Sequence, residues 1–128
     1  MMRKYCIPVL LLAFLISACC DDDPSANGVH ILGNWDWIQS TGGFTGHTIT
    51  PQTEGYTKSL RITNVTFSEY QGDSLIFESR YVYLKDTLFG EPEYIDFETG
   101  GALGVEFTEG KMKLIEFCSD CYIHEYVN

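Results

Sequence analysis

The sequence has little positive charge. Of its 128 residues only 8 are Lys or Arg, against 18 Asp or Glu, and the formal net charge is −10. Nucleic acids and anionic lipid surfaces are both bound through basic side chains, so this balance argues against either partner. A chain of this length is expected to form a single domain.

Signatures of common catalytic and metal sites are missing as well. The chain has no Gly-x-Ser-x-Gly stretch, no Asp-x-Asp-x-Asp calcium loop and only 3 His residues. We therefore predict no enzyme, no metal site and no cofactor. Hydrolysis stays open as a minor alternative, because a histidine could activate one of four serines: Ser40, Ser59, Ser68 and Ser74.

An export signal occupies the N-terminus. A short basic start precedes an apolar run that is too short to span a bilayer comfortably. The run ends in residues 16–19 (ISAC), which resemble a bacterial lipobox, where small residues precede an acylated cysteine. We predict a lipoprotein signal peptide over residues 1–18 and lipid attachment at Cys19, which would anchor the protein to a membrane through acyl chains alone. The alternative is an ordinary signal peptide with incidental cysteines.

Residues 19–29 are predicted to form a lipidated acidic tether. Asp21, Asp22 and Asp23 resemble the surface-export signal of Bacteroidetes lipoproteins, although they could also be a solvated spacer, and the turn formers of residues 24–28 follow. We expect the protein to lie in the cell envelope, anchored to the outer membrane by its lipid. Whether it faces the periplasm or the cell surface is left open. Cys20 has no assigned role.

Residues 30–128 are predicted to be all-β. Short alternating apolar runs are separated by turn residues, and no run keeps apolar residues at helical spacing. About eight antiparallel strands are expected, over residues 31–40, 56–63, 65–70, 74–85, 94–98, 103–107, 111–117 and 122–127. Such strands form an up-and-down barrel or a sandwich, and the barrel is favoured.

Aromatic residues indicate which strand faces point inward. Trp35 and Trp37 share a face because strand side chains alternate, and we predict that they form the floor of the core. On the longest strand Phe77, Tyr81 and Tyr83 share one side, while aliphatic and charged residues share the other. We predict that the aromatic side faces inward.

The motifs of the first strand point to a family. The stretch Gly33-Asn34-Trp35, with Trp37, the glycine loop that runs to Gly55 and the acidic start, resembles the short lipocalin-like lipoproteins of Bacteroidetes. The ending matches too, through Cys118, Asp120, His124 and Tyr126, although Cys121 stands where that family often has glycine. The resemblance covers residues 30–128. It implies a lipocalin-like up-and-down barrel of eight strands, open at one end, and it names no ligand.

Cys118 and Cys121 are predicted to form a disulfide. If residues 119–120 make a two-residue turn, the cysteines lie opposite each other at a distance that a disulfide can bridge. Export to an oxidising compartment favours that state. A free thiol pair, and after it a redox or metal role, remain alternatives.

An eight-stranded barrel can be filled by its own side chains or can hold one small ligand. We predict that a small apolar or amphipathic molecule binds inside. The alternative is a filled barrel without a small ligand, which acts as a surface scaffold or interaction module for a protein or glycan. The glycine-rich loop over residues 41–55 is a candidate lid, with Phe44 as an apolar plug or packed on the barrel. The candidate pocket residues are Trp35, Trp37, Phe44, Phe67, Phe77, Tyr81, Tyr83, Phe107, Tyr122, His124 and Tyr126.

Overall fold

The structure is a computed structural model that describes residues 30–85 and 93–128. The predicted signal peptide (1–18), Cys19 and the tether (19–29) lie outside the described residues. The strands are β1 (Gly33–Gly42), β2 (His47–Ile49), β3 (Lys58–Ile62), β4 (Thr66–Gln71), β5 (Ser74–Leu84), β6 (Tyr94–Phe97), β7 (Ala102–Thr108), β8 (Lys111–Glu116) and β9 (Tyr122–Val127), with one short helix, α1 (Pro51–Glu54). Across the described ranges, no helix has the length and apolar character needed to cross a membrane.

Eight of these strands close into an antiparallel barrel. Each strand from β3 to β9 pairs with the next, β1 pairs with β3, and β1 also pairs with β9 to close the ring. The short β2 adds to the far end of β1, past the point where β3 ends. The predicted all-β barrel of eight antiparallel strands is therefore confirmed.

The segment predicted to be one long loop, residues 41–55, is more ordered than expected. It contains the end of β1, then β2 and α1. Thr50 caps α1, because its hydroxyl accepts from the Thr53 backbone N–H while the Thr53 hydroxyl accepts from the Thr50 N–H. Gly55 ends the helix with φ of 76°, a conformation that glycine adopts without steric cost.

The two ends of the barrel differ. At one end, which we call the closed end, β1 begins and β9 ends, and Ile31 lies beneath the strands with no exposed surface. The indole N–H of Trp35 donates to the Ile31 carbonyl oxygen over 2.8 Å, which holds this turn against the core. At the other end, which we call the mouth, β1 ends and β9 begins. Chain entry and chain exit therefore share the closed end.

The barrel interior is largely filled by its own side chains. On β5 the aromatic side faces inward as predicted: Tyr83 is 4% exposed, whereas Ile76 and Val82 on the other side are about half-exposed, at 49% and 51%. Phe67, Phe77 and Phe97 pack edge to face with ring centroids 5.0 to 6.2 Å apart. The buried apolar residues are Ile31, Trp35, Trp37, Leu60, Ile62, Phe67, Tyr83, Ile95, Phe97, Val105, Met112, Leu114 and Tyr126.

A bulge in β1 changes which residues face the interior. Trp37 pairs with Tyr126 and Gln39 pairs with Glu125, so Ile38 is an extra residue on β1. Simple alternation from Trp37 would turn Ser40 outward. The bulge instead places Ser40 inside, with no exposed surface, directly opposite His124.

Candidate functional site at the mouth of the barrel

A cavity of about 150 Å³ lies inside the barrel on the mouth side. Phe67, Leu103 and Leu114 form apolar walls, and the other lining residues are Lys58, Glu69, Glu116, His124 and Tyr126. The polar groups face inward because each lies two residues from a buried apolar residue on the same strand, as Glu69 does from Phe67. The cavity thus combines apolar walls with a small set of charged and hydrogen-bonding groups. We call it the mouth cavity.

A buried hydrogen-bond network fixes one wall of the mouth cavity. The Trp37 indole N–H donates to Ser40 Oγ over 2.8 Å. Ser40 Oγ lies 2.6 Å from His124 Nδ1, and His124 Nε2 lies 2.7 Å from Glu116 Oε1. Because a carboxylate can only accept, the Nε2–H of His124 donates to Glu116. The network therefore fixes the orientation of the His124 ring.

Glu116 is held at both oxygens. Oε1 accepts from His124, and Oε2 accepts from the Tyr122 backbone N–H over 3.2 Å. These two bonds orient the carboxylate at the junction between β8 and β9. Its position is therefore set by the barrel itself and does not depend on a ligand.

Ser40, His124 and Glu116 have the order of a nucleophilic triad, which bears on the hydrolysis alternative. A working nucleophile must reach the carbonyl that it attacks, with its oxygen free toward the substrate. Ser40 has no exposed surface and its oxygen is occupied by the Trp37 indole. Ser40 therefore acts here as a positioning group for His124.

Three other polar groups that line the cavity have no hydrogen-bonding partner among the described residues. The Lys58 ammonium lies 5.1 Å from the centroid of the Trp37 ring and 5.8 Å from that of Tyr56, so it rests on two aromatic faces. Within the described ranges, no carboxylate lies within ion-pair distance of Lys58. In the same part of the chain, neither the Glu69 carboxylate nor the Tyr126 hydroxyl makes a side-chain hydrogen bond.

The pKa of Tyr126 is affected by the negative charges around the mouth cavity. The residue is only 3% exposed. Burial raises the pKa of Tyr126 well above its ordinary value of 10.0, and the negative charges of Glu69 and Glu116 raise it further. The hydroxyl is therefore neutral at physiological pH and is available to donate or accept a hydrogen bond.

A second polar cluster seals the closed end. The Tyr83 hydroxyl donates to Glu93 Oε2 over 2.5 Å, and His30 Nε2 lies 2.9 Å from the same hydroxyl. Burial, followed by the hydrogen bond to Glu93 and its charge, raises the pKa of Tyr83. The His30 ring packs on Phe107 with centroids 4.8 Å apart. Glu93 therefore belongs to this cluster at the closed end.

The predicted pocket residues separate into groups. Phe67, His124 and Tyr126 line the mouth cavity. Trp37 and Tyr122 border it, through the Ser40 network and the bond to Glu116.

Other predicted pocket residues lie away from the cavity. Trp35, Tyr83 and Phe107 belong to the closed end. Tyr81 donates its hydroxyl to the Thr63 carbonyl oxygen over 2.5 Å, and Phe77 packs behind Phe67.

The prediction that Phe44 plugs the barrel or packs on it is wrong. Its side chain is 91% exposed, at the tip of the turn between β1 and β2. Gly43 and Gly46 turn the chain there with positive φ angles of 74° and 67°. This turn holds the tip in solvent, so Phe44 neither fills the barrel nor packs on it.

Sequence reasoning missed the charged lining residues. Lys58 alternates with Leu60 and Ile62, Glu69 with Phe67, and Glu116 with Leu114, so the period of two could have placed all of them inside. None of these three residues was among the predicted pocket residues. No signal in the sequence predicted the inward turn of Ser40, because it depends on the bulge.

The rim of the mouth carries the disulfide. Cys118 and Cys121 are bonded in the connection between β8 and β9, with Cα atoms 5.3 Å apart. Gly42 lies against this connection, where a Cβ atom would come within 2.3 Å of the Cys121 carbonyl oxygen. A side chain at position 42 would therefore force β1 and β9 apart. No group of three or more metal-ligating side chains occurs in the described part of the chain.

Two larger clefts, of about 460 and 410 Å³, lie on the barrel wall around β5 and β6. Both are open and border the ion pair between Arg80 and Glu98, whose side chains are 72% and 70% exposed. Bulk water competes for these charges, so the clefts offer little binding energy. The mouth cavity is the better candidate because its polar groups are partly desolvated.

The fold and the site define a small closed barrel with a polar and apolar cavity at its mouth. Comparison of the chain with protein-family models, with curated proteins and with solved structures finds no match. The function is therefore argued from the geometry of the mouth cavity.

Proposed function

We propose that this protein is a small-molecule binding protein of the cell envelope that holds an amphipathic molecule in the mouth cavity. The observation that carries the proposal is a cavity in which apolar walls meet polar groups that lack partners among the described residues. Small-molecule sites have this composition, with apolar walls for affinity and a few fixed polar groups for orientation.

The size of the cavity limits the ligand. The rest of the barrel interior is filled by buried side chains, so the free volume is about 150 Å³. An engineered apolar cavity of about 150 Å³ in another protein takes up benzene. The ligand is therefore about the size of a six-membered ring with one or two substituents. A long acyl chain or a haem would not fit.

The position of the mouth suits an anchored binding protein. The described chain enters the barrel at the closed end, opposite the mouth cavity. If the lipid is attached at Cys19 as predicted, the tether would join the barrel at the closed end and leave the mouth free for a ligand to enter.

The experiment that tests the proposal is native mass spectrometry of the full chain purified from its own host. We expect a discrete extra mass, of roughly 100 to 150 Da for a ring-sized ligand, that is lost on denaturation. Leu103→Trp, which fills the cavity wall, should lack this mass, and the control Phe44→Ser should retain it. A bare wild-type chain that also fails to bind ring-sized probes would refute the proposal.

The outer face of β5 favours a second candidate, an interaction module. Ile76 and Val82 are each about half-exposed, at 49% and 51%. Exposed apolar side chains of this kind can contact a protein partner. Ile76→Ser with Val82→Ser should abolish cross-linking to such a partner on intact cells and leave ligand binding unchanged. Unchanged cross-linking would refute this second function.

A further inference from the structure

We propose that the ligand of the mouth cavity is a small organic ammonium ion with an apolar body, bound by the Glu69 carboxylate and the Tyr126 hydroxyl. The inference rests on the proposed function, because it names the chemical class that the same cavity would take.

The formal charges that line the cavity do not balance. Lys58 contributes one positive charge, while Glu69 and Glu116 contribute two negative charges. These are formal charges, in which histidine counts as neutral. A partly buried charge without a counter-ion is costly, so a ligand with one positive charge would complete the balance.

The hydrogen bonds identify Glu69 as the group that binds the ammonium. Both oxygens of Glu116 are occupied, by His124 and by the Tyr122 backbone N–H. Glu69 has no hydrogen bond or ion pair among the described residues, and its charge acts on Tyr126. An ammonium group offers three donors, which suit a free carboxylate and a neighbouring hydroxyl oxygen.

Tyr126 supplies an independent indication of a ligand. The residue is only 3% exposed, and its hydroxyl makes no hydrogen bond within residues 30–85 and 93–128. In that part of the chain no fully buried polar side-chain atom lacks a partner, so the hydroxyl must reach the open volume of the cavity. There it can accept a hydrogen bond from a ligand.

Lys58 places a positive charge close to the position that a cationic ligand would occupy. Lys58 pairs with Gln71 and Leu60 pairs with Glu69, so Lys58 and Glu69 are diagonal neighbours on the inner face. The lysine nevertheless rests on the rings of Trp37 and Tyr56 and leaves Glu69 free. Its charge still disfavours a second cation nearby. Removing that charge should therefore strengthen ammonium binding, whereas it would weaken the binding of an anion.

The apolar walls determine the size and polarity of the rest of the ligand. Phe67, Leu103 and Leu114 surround the remaining volume, which holds about one ring. Benzylamine combines a ring with a primary ammonium and is a suitable probe. Benzyl alcohol and benzoate are its neutral and anionic counterparts of similar shape.

The test is calorimetric titration of the full chain with these three probes at pH 7. We expect the Kd of benzylamine to be at least tenfold lower than that of benzyl alcohol, and benzoate not to bind. Glu69→Gln should raise the benzylamine Kd about tenfold or more and change the benzyl alcohol Kd little. Lys58→Gln should lower the benzylamine Kd several-fold. Glu78→Gln is the control, because Glu78 lies on the outer face and accepts from Ser68.

The outcomes separate the two proposals. If none of the three probes binds, both the binding function and the ammonium inference are overturned. If benzyl alcohol binds as tightly as benzylamine, or benzoate binds best and loses affinity in Lys58→Gln, the cavity is a binding site and the ammonium inference is overturned. Should Glu69→Gln fail to fold by circular dichroism, the comparison of the three probes on the wild-type chain decides.

Discussion

Removal of the Ser40 hydroxyl should destabilise the barrel far more than a serine-to-alanine change usually does. In Ser40→Ala the indole N–H of Trp37, which is 3% exposed, loses its acceptor, and His124 Nδ1 loses its hydrogen-bonding partner. A buried polar group without a partner costs about 1–3 kcal/mol. His124 can turn partly to water because its side chain is 17% exposed. We therefore expect a total loss of about 2–4 kcal/mol in the free energy of unfolding.

Urea unfolding followed by far-ultraviolet circular dichroism measures this loss, and a double-mutant cycle assigns it. In a Trp37→Phe background the indole N–H is absent, so Ser40→Ala should cost about 1–2 kcal/mol less than in the wild type. Ser68→Ala is the matched control: Ser68 is also buried, at 6% exposure, but its hydroxyl bonds to Glu78 on the outer face. Equal losses for Ser40→Ala and Ser68→Ala, or additive effects in the cycle, would refute the reasoning.

Three further predictions concern the core, the response to pH and the disulfide. Trp35→Ala should lower the free energy of unfolding by about 3–5 kcal/mol, because the ring is 5% exposed and its N–H is bonded; an unchanged melting curve would contradict this. The pKa of Tyr126 is raised above 10.0 in the folded state, so the native protein keeps a proton that the unfolded chain loses. Stability should therefore be intact below pH 10 and fall above it, with a share of about 1.4 kcal/mol per pH unit that Tyr126→Phe removes; an identical alkaline slope in the variant would count against it. Intact mass with alkylation, before and after reduction, should show two additional reactive thiols only after reduction, from Cys118 and Cys121; no difference between the two samples would argue against the bond.

The fold could be predicted from local signals. Alternation of apolar residues identified the strands, and the aromatic side of β5 faces inward as Phe77, Tyr81 and Tyr83 indicated. Strand ends were less predictable: β1 begins at Gly33, two residues later than expected, because Ile31 belongs to the turn that seals the closed end. Tertiary packing decided that boundary, and alternation alone carries no information about it.

The site was predicted only in part, for two physical reasons. Phe67, His124 and Tyr126, three of the predicted pocket residues, line the mouth cavity because they lie on the inner faces of their strands. Glu69 was not considered, although it alternates with Phe67, because an acidic residue in an acidic chain suggests a solvated surface. Ser40 could not be placed from sequence, since its partner His124 is 84 residues away and the bulge that turns it inward has no local signature.

The pairing of β1 with β9 also has a consequence for the order in which the barrel can form. These two strands are joined by contacts such as Ser40 to His124, 84 residues apart in sequence. Bringing such distant segments together costs more chain entropy than forming a hairpin between neighbouring strands. Pairing of β1 with β9 should therefore be a late and slow step in folding. Until β9 has been made and docked, β1 and β8 each present an unpaired edge on which another chain could add a strand. The protein is therefore most vulnerable to aggregation before its ring closes.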